Sequence, residues 1–277
     1  IEVDVSNSKV LGCNKKPKSV FQGQTHGHKG FLLSPTEGKE LIQKDRRNSD
    51  VVKPFLIGNV MVGNQRSQPD RFVIDFTLMG VMEAASYKEA YEIIKKTVLP
   101  ERETKAEKQI EDNKQALEKN ANAKINKHHI NFYNNWWKLS YGREDMLEVI
   151  RPLNRYISVP QVSKRATFEF ISTEISPNAA LMVFPFEDDY SFGIIQSSFH
   201  WEWWKANCST LKGDYRYTTN TVWDTFPFPQ NPKLADVKKV AVAAKELRFK
   251  RNELMNKHDY TLRDIYRLLE EPGANPL

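Results

Sequence analysis

Residues 156–186 read YISVPQVSKRATFEFISTEISPNAALMVFPF, and this stretch decides the fold. It holds three short runs of β-branched and aromatic residues with polar turn residues between them. Such runs are typical of strands, so we predict strands over 156–162, 167–171 and 180–186. The next segment, 190–206, repeats apolar residues at helical spacing and predicts one continuous helix.

The N-terminal half adds helices and strands to this pattern. Residues 34–37 (SPTE) combine an N-cap serine, a proline in the first turn and a glutamate at the third position, which predicts a helix start. The apolar runs 54–62 (PFLIGNVMV) and 71–76 (RFVIDF) predict two strands. Residues 86–89 (SYKE) have the spacing of a second capping box and predict another helix start.

Residues 101–125 are dense in lysine and glutamate and contain few large apolar residues. A segment of this kind is typical of a helix exposed to solvent. We therefore predict a solvated helix that contributes nothing to the core.

The C-terminal part changes in character after Pro232. From Leu234 onward, apolar residues recur at helical spacing for about 25 residues, and Thr261 with Asp264 forms a further capping box. Together the segments predict an α+β fold: twisted mixed or antiparallel sheets with packed helices, plus a C-terminal helical pair.

Composition excludes several classes of protein. The 277 residues include 41 Lys+Arg and 35 Asp+Glu, so the formal net charge is +6, which permits nucleic-acid binding without demanding it. No run approaches the ~20 apolar residues of a membrane-spanning helix, so we expect no membrane partner. The two cysteines lie far apart without metal-ligand spacing, which argues against a zinc site and favours a reducing, cytoplasmic setting.

The motifs do not reveal a catalytic site. Residues 21–24 (FQGQ) match the FxGxG cofactor loop of methyltransferases only weakly, because Thr25 replaces the second glycine. The Walker A, HExxH and GxSxG patterns and the Pro-Pro-aromatic signature of amino-group methyltransferases are absent. For His26 and His28 we favour a solvent-facing loop over phosphate contact, and for His200 a structural role over catalysis.

Two clusters interleave basic, polar and aromatic side chains in predicted turns. One is 163–165 (SKR), and the other comprises Lys212, Tyr215, Arg216 and Tyr217. Lysine and arginine neutralise phosphates, and their side chains also contact base edges. On a basic chain without catalytic motifs, these clusters favour nucleic-acid binding.

The region around these clusters resembles a known family. It reads SSFHWEW at 197–203, STLKGDYRY at 209–217 and VWDTFPFP at 222–229. This succession is similar to the target-recognition region of MmeI-like, single-chain restriction–modification methyltransferases. Shorter matches precede it in the same order: they are Gln22-Gly23, Lys29-Gly30-Phe31, residues 71–76, Pro100-Glu101-Arg102 and Val162-Ser163-Lys164. The resemblance spans about residues 20–230.

The resemblance implies a division of labour within a larger enzyme. Such enzymes transfer a methyl group from S-adenosylmethionine to N6 of adenine in double-stranded DNA, and some also carry an endonuclease. Residues 21–231 would be the target-recognition domain, with a charged helical insertion at 101–135, and 232–277 a C-terminal helical region. Residues 1–20 are polar and basic, which is typical of a connector or an edge strand, and we interpret them as a connector from a catalytic domain of the same parent chain. The start at Ile1 without a methionine favours a fragment of a longer protein. That domain would hold the S-adenosylmethionine, and this chain alone would bind no cofactor or metal and would not be catalytic.

The basic clusters and the resemblance together predict the DNA contacts, which are Lys29, Ser163, Lys164, Arg165, Lys212, Arg216 and Tyr217. If the chain turns at Gly213 and enters a strand, Tyr215 and Tyr217 share the face that packs on the domain, and Arg216 points outward. The alternative for Arg216 is an ion pair with Asp214 or Asp224 that holds the loop.

Two other functions are compatible with the sequence. One is a stand-alone nucleic-acid- or protein-binding module without methyltransferase activity. The other is a complete small enzyme with an unrecognised site, which tight binding of S-adenosylmethionine would support.

Overall fold

The structure is a computed structural model that describes residues 8–211 and 213–270. Its helices are α1 (Gly12–Lys15), α2 (Pro35–Lys44), α3 (Gly58–Gly63), α4 (Val81–Ala85), α5 (Lys88–Thr97), α6 (Leu99–Lys119), α7 (His128–Asn134), α8 (Glu144–Ile150), α9 (Asp189–Gln196), α10 (Ser198–Asn207), α11 (Leu234–His258) and α12 (Leu262–Leu268). Its strands are β1 (Phe21–Gln22), β2 (Leu32–Leu33), β3 (Val52–Leu56), β4 (Phe72–Ile74), β5 (Arg155–Pro160), β6 (Val162–Ser163), β7 (Glu169–Ser172), β8 (Ser176–Pro177), β9 (Leu181–Phe184), β10 (Ser209–Leu211) and β11 (Asp214–Arg216). The fold is α+β, as predicted. Within the described ranges, no helix combines the length and apolarity needed to cross a membrane.

The chain divides into two compact units. Unit 1 comprises Ile1–Gly23, Leu56–Pro69 and Asp145–Leu277, and unit 2 comprises Gln24–Phe55 and Asp70–Glu144. Unit 1 therefore includes the C-terminal helices together with much of the predicted recognition domain. The functional boundaries at residues 20 and 231 and the insertion at 101–135 stay predictions.

Unit 1 is built on an antiparallel sheet with the strand order β1-β9-β5-β7. The largest side chains of its main core are aromatic: they are Phe168, Phe184, Phe192, Trp204, Tyr217, Trp223 and Phe226. Helix α11 packs on α9, where a Cβ at Gly193 would lie 2.6 Å from a methyl of Val240. The glycine thus permits the close approach of the two helices. A second, three-stranded antiparallel sheet of the unit has the order β10-β11-β6.

Unit 2 has its own core around the antiparallel strands β2, β4 and β3. Phe31, Phe55, Phe76 and Ile94 are fully buried in it. Helices α5 and α6 follow one another along the chain, and α6 packs against α7. This unit contains Lys29, one of the predicted DNA contacts.

Several sequence predictions are confirmed. The N-cap of α2 is a full capping box, because Ser34 accepts from the Glu37 N–H and Glu37 accepts from the Ser34 N–H. Thr261 and Asp264 make the same arrangement at the start of α12. Strands β5, β7 and β9 lie within the residues predicted for them, apart from one-residue shifts at the ends.

Three predicted elements are wrong in detail. The run 54–62 is a strand only to Leu56, and its second half is helix α3, since a short apolar run does not distinguish helix from strand. The predicted helix 190–206 is two helices, because Ser197 has an extended backbone and caps α10 by accepting from the His200 N–H. Ser86 is not a cap: its hydroxyl donates to the Glu83 carbonyl, and α5 begins at Lys88.

The charged segment 101–125 also differs from the prediction. It is helical to Lys119, but Arg102, Ala106 and Gln109 are buried. The Gln109 side-chain oxygen accepts from the His129 and Ile130 N–H groups at 2.8 and 3.2 Å. The first half of α6 therefore belongs to the packed structure of unit 2, because its polar side chains satisfy the backbone of the following segment.

Candidate nucleic-acid interface

The small sheet β10-β11-β6 brings together the two basic clusters predicted from the sequence. Tyr215 lies opposite Ser163, and Arg216 lies opposite Val162. On the other side of β11, Arg216 lies opposite Ser209. Segments about 50 residues apart in the chain thus pair in one small sheet.

The alternation of side chains along β11 agrees with the predicted arrangement. Tyr217 is fully buried, and the Tyr215 ring meets the Trp201 ring edge-on with 5.2 Å between centroids. Arg216, between them, is exposed. Because successive strand residues point to opposite faces, packing of the two tyrosines directs the arginine outward.

The buried ring of His200 holds Tyr217 in place. Its Nδ1 lies 2.6 Å from the Ile195 carbonyl oxygen, and its Nε2 lies 3.1 Å from the Tyr217 hydroxyl. Burial lowers the pKa of His200 to about 4, so the ring is neutral at pH 7. Since a carbonyl only accepts, Nδ1 carries the proton and Nε2 accepts from the Tyr217 hydroxyl. His200 is thus a structural histidine, as favoured from the sequence.

The prediction that Tyr217 contacts DNA is wrong in this structure. Its side chain has no exposed surface, and its hydroxyl is committed to His200. Burial also raises the pKa of Tyr217 well above its ordinary value, so the hydroxyl keeps its proton. The residue supports the interface from beneath by fixing the strand that carries Arg216.

The aromatic segment TFPFP at residues 225–229 has a packing role. Phe226 is 1% exposed, and its ring centroid lies 4.5 Å from that of His200. Phe228 stacks on Phe186 with 6.0 Å between centroids. The Trp203 indole N–H lies 3.2 Å from the Thr225 hydroxyl and 3.2 Å from the Val222 carbonyl, which ties α10 to the start of this segment.

The alternative ion pairs of Arg216 do not form. Among residues 8–211 and 213–270, no carboxylate lies within salt-bridge distance of its guanidinium, and this includes Asp214 and Asp224. An exposed arginine without a protein partner has all its donors available to a ligand. Lys212, the other predicted cation of this loop, lies outside the described residues.

The turn 163–165 carries two cations. Among the described residues, one has no ion-pair partner and the other is paired with a carboxylate. The Ser163 hydroxyl donates to the Arg165 carbonyl at 2.7 Å and lies 3.2 Å from the Arg165 N–H, which closes the turn. Lys164 is exposed. The Arg165 guanidinium binds the carboxylate of Glu270, with 2.6 Å between Nε and Oε1.

Lys29 is exposed at a 3-10 turn of unit 2, so the structure does not place it on the sheet with the other candidates. Its neighbour His28 accepts from the Gly30 N–H at Nδ1 and lies 2.5 Å from Glu101 at Nε2. Hydrogen bonds from Lys105 and His28 lower the pKa of Glu101 to about 2. His28 therefore has protein partners at both ring nitrogens and is not a free loop residue.

Residues 21–24 do not form a cofactor cradle. Phe21 and Gln22 pair antiparallel with β9, whereas a dinucleotide-type loop joins a parallel strand to a helix. A Cβ at Gly23 would lie 2.3 Å from the Asn178 carbonyl oxygen, so the glycine is required by backbone packing. No group of three His, Cys, Asp or Glu side chains in the described part of the chain could hold a metal ion.

The structure adds Arg263 and Glu270 to the residues around the candidate interface. Arg263, on α12, lines the same cavity as Ser163, Lys164 and Arg165. Glu270 follows α12 and neutralises Arg165. Neither residue stands out in the sequence, because only the capping box of the last helix was recognisable and not the surface on which that helix packs.

Comparisons with known proteins agree with the motifs. The family described as "MmeI, target recognition domain" matches residues 99–230. The resemblance inferred from the motifs is thereby confirmed over this range, which supports a role in DNA sequence recognition. The matched range includes the segment predicted to be an insertion. No curated protein matches the chain.

Two solved structures are similar to the chain. The type IIL restriction–modification enzyme MmeI, solved in complex with DNA, matches with a TM-score of 0.65 and 19% identity over 93% of this chain. The match covers 30% of the MmeI chain, so the present chain spans less than a third of that protein. The type IIG restriction endonuclease BpuSI matches with a TM-score of 0.41 and 14% identity, over 82% of this chain and 25% of its own.

Proposed function

We propose that this chain recognises a specific sequence in double-stranded DNA on behalf of an S-adenosylmethionine-dependent adenine-N6 methyltransferase of a restriction–modification system. The observation that carries the proposal is the outward, unpaired Arg216 on a strand braced by the His200–Tyr217 hydrogen bond. The family match over residues 99–230 supports the same role. An arginine in this position binds a phosphate or reaches N7 and O6 of guanine in the major groove.

The methyl-transfer chemistry belongs, in this proposal, to a catalytic domain of the same parent chain. A methyltransferase must take its target base out of the helix and into a pocket. In this proposal both that pocket and the residues that hold S-adenosylmethionine, which would bring the methyl group, lie in the catalytic domain. The chain's own task is to hold the duplex and select the site. The cytoplasmic location and an endonuclease in the parent stay predictions.

The decisive experiment compares Arg216→Ala with Arg151→Ala, an exposed arginine outside the sheet. DNA affinity is measured by fluorescence anisotropy at several salt concentrations, and melting temperature is measured on the same samples. If Arg216 contacts a phosphate, its loss weakens binding to all sequences and lowers the salt slope by about one. If it contacts a base, the loss costs about 1–3 kcal/mol on the cognate site alone.

The free energy of unfolding of both variants should lie within about 0.5 kcal/mol of that of the parent protein, because both arginines are exposed. Their melting temperatures should therefore be close to that of the parent. DNA affinity of Arg216→Ala equal to that of Arg151→Ala would reject the proposed contact. Binding that does not depend on salt would instead favour a stand-alone module with a protein partner.

A further inference from the structure

The Arg165 guanidinium is held by the carboxylate of Glu270, two residues after the end of α12. Nε donates to Oε1 of Glu270 at 2.6 Å, and Nη2 donates to Oε2. This two-point arrangement is also the way in which arginine binds the oxygens of a phosphodiester. The Glu270 side chain is 57% exposed, so a ligand in solution can reach the pair.

Further cations line the cavity next to this pair. Lys164 is exposed beside Arg165, and the Arg263 guanidinium reaches the cavity from α12 while donating to the Asn59 carbonyl at 3.1 Å. Among the described residues that line the cavity, Asp214 is the acidic one. Three cations against one carboxylate leave the cavity electropositive, and Glu270 removes part of that charge.

We infer that this cavity is a phosphodiester-binding site. In the absence of DNA, the Glu270 carboxylate occupies the place of a phosphate on Arg165, and a DNA phosphate displaces it. The inference rests on the proposed DNA-recognition function and extends it from β11 to the turn 163–165. An arginine–carboxylate pair at the protein surface contributes little to stability, and the exposed Glu270 carboxylate regains water when the two groups separate. A DNA phosphate can therefore replace the carboxylate without unfolding α12, and the arginine donors are satisfied before and after the exchange.

The test replaces Glu270 by glutamine, which removes the negative charge and keeps the shape of the side chain. Glu270→Gln is compared with Glu253→Gln, which makes the same charge change at an exposed residue paired with Lys250 on α11. Affinity for a fluorescent mixed-sequence duplex is measured by anisotropy over a range of salt concentrations. We expect Glu270→Gln to bind about two- to fivefold more tightly than Glu253→Gln, since the competing pair is gone.

A double-mutant cycle assigns the effect to Arg165. In the Arg165→Ala background, Glu270→Gln should give no gain over Glu253→Gln, and the salt slope should be lower by about one. Equal affinities of Glu270→Gln and Glu253→Gln would overturn the inference. A lower melting temperature of Glu270→Gln without tighter binding would also overturn it, because the pair would then be a structural tie.

A second ligand separates this inference from the proposed function. Binding of inorganic pyrophosphate is measured by calorimetry on the same variants. Tighter pyrophosphate binding by Glu270→Gln, with no duplex binding by any variant, would reject DNA recognition and retain the anion site. Salt-dependent duplex binding by the parent protein, with no difference between the two glutamine variants for either ligand, would reject the anion site and retain DNA recognition.

Discussion

Arg102 and Arg216 are both arginines of charge-rich segments, and the molecule uses them in opposite ways. Arg102, in unit 2, is 6% exposed. The two N–H groups of its Nη1 are shared among the carbonyl oxygens of Phe132, Asn135, Trp136 and Lys138, of which Lys138 is the nearest at 2.8 Å, and its Nη2 donates to the Ser140 hydroxyl. Arg216, in unit 1, is exposed and has no ion-pair partner among the described residues. The difference teaches that local charge density alone does not mark a candidate binding residue, because buried carbonyls satisfy the donors of Arg102, whereas those of Arg216 are free for a ligand.

Burial has a measurable consequence for Arg102. Removal from water lowers the pKa of its guanidinium to about 10, yet the group remains charged at pH 7. The carbonyls that surround it belong to Phe132 in α7 and to the turns after it, where the last carbonyls of a helix have no intrahelical donor. Arg102 thus does for these turns what a backbone N–H would do in a continuing helix.

The largest expected effect on stability concerns the buried Arg102. Arg102→Ala should destabilise the protein by about 3 kcal/mol or more, because several buried carbonyls lose their donor together. Urea unfolding followed by circular dichroism measures the change. Lys108→Ala, at an exposed position of the same helix, should stay within about 0.5 kcal/mol of the parent protein. Similar stability of the two variants would show that Arg102 is not a buried tie.

The buried His200, which holds Tyr217 beneath Arg216, should make the free energy of unfolding depend on pH. The folded pKa of His200 is about 4, below its ordinary value of 6.5, so the unfolded chain binds the proton more readily. The stabilisation from keeping His200 neutral is therefore present above about pH 6.5 and is lost as the pH falls towards 4. We expect the free energy of unfolding to drop over this window by a few kcal/mol at most.

The variant His200→Gln isolates this titration. It should be less stable than the parent protein at pH 7, but its stability should fall less between pH 6.5 and 4, since the titrating ring is absent. Urea unfolding at matched pH values gives both curves. Parallel curves for the two proteins would mean that His200 titrates alike in the folded and unfolded states.

The smallest expected effect sharpens the distinction between supporting and contacting residues. Tyr217→Phe removes the donor to His200 Nε2 and should cost about 1–2 kcal/mol, because a buried acceptor loses its partner. The salt slope of DNA binding should not change, whereas Arg216→Ala lowers it if the arginine contacts a phosphate. Tyr215→Phe, at a half-buried ring, serves as the control. A changed salt slope in Tyr217→Phe would restore Tyr217 as a DNA contact.

The sequence was sufficient for features that depend on neighbouring residues. Alternation along β11 predicted the outward Arg216, and the apolar surroundings of His200 predicted its structural role. Features that depend on distant partners were not predictable. Arg165 meets Glu270 across 105 positions, and no local pattern links the two. The doublet Ser197-Ser198 did offer a cue for the break between α9 and α10, since serine is a preferred N-cap.

The strand that carries Arg216 also limits how this hairpin can change in length. Between Asp214 and Tyr217, one added or deleted residue would exchange the two faces, turning an arginine towards the core and a tyrosine towards solvent. Beyond the paired residues, Gly213 has a φ of +88° and open space around its Cβ position. Insertions or deletions at that tip do not change the face to which each side chain of β11 points. The hairpin should therefore accept insertions of any size at Gly213, but only even-numbered ones within the strand.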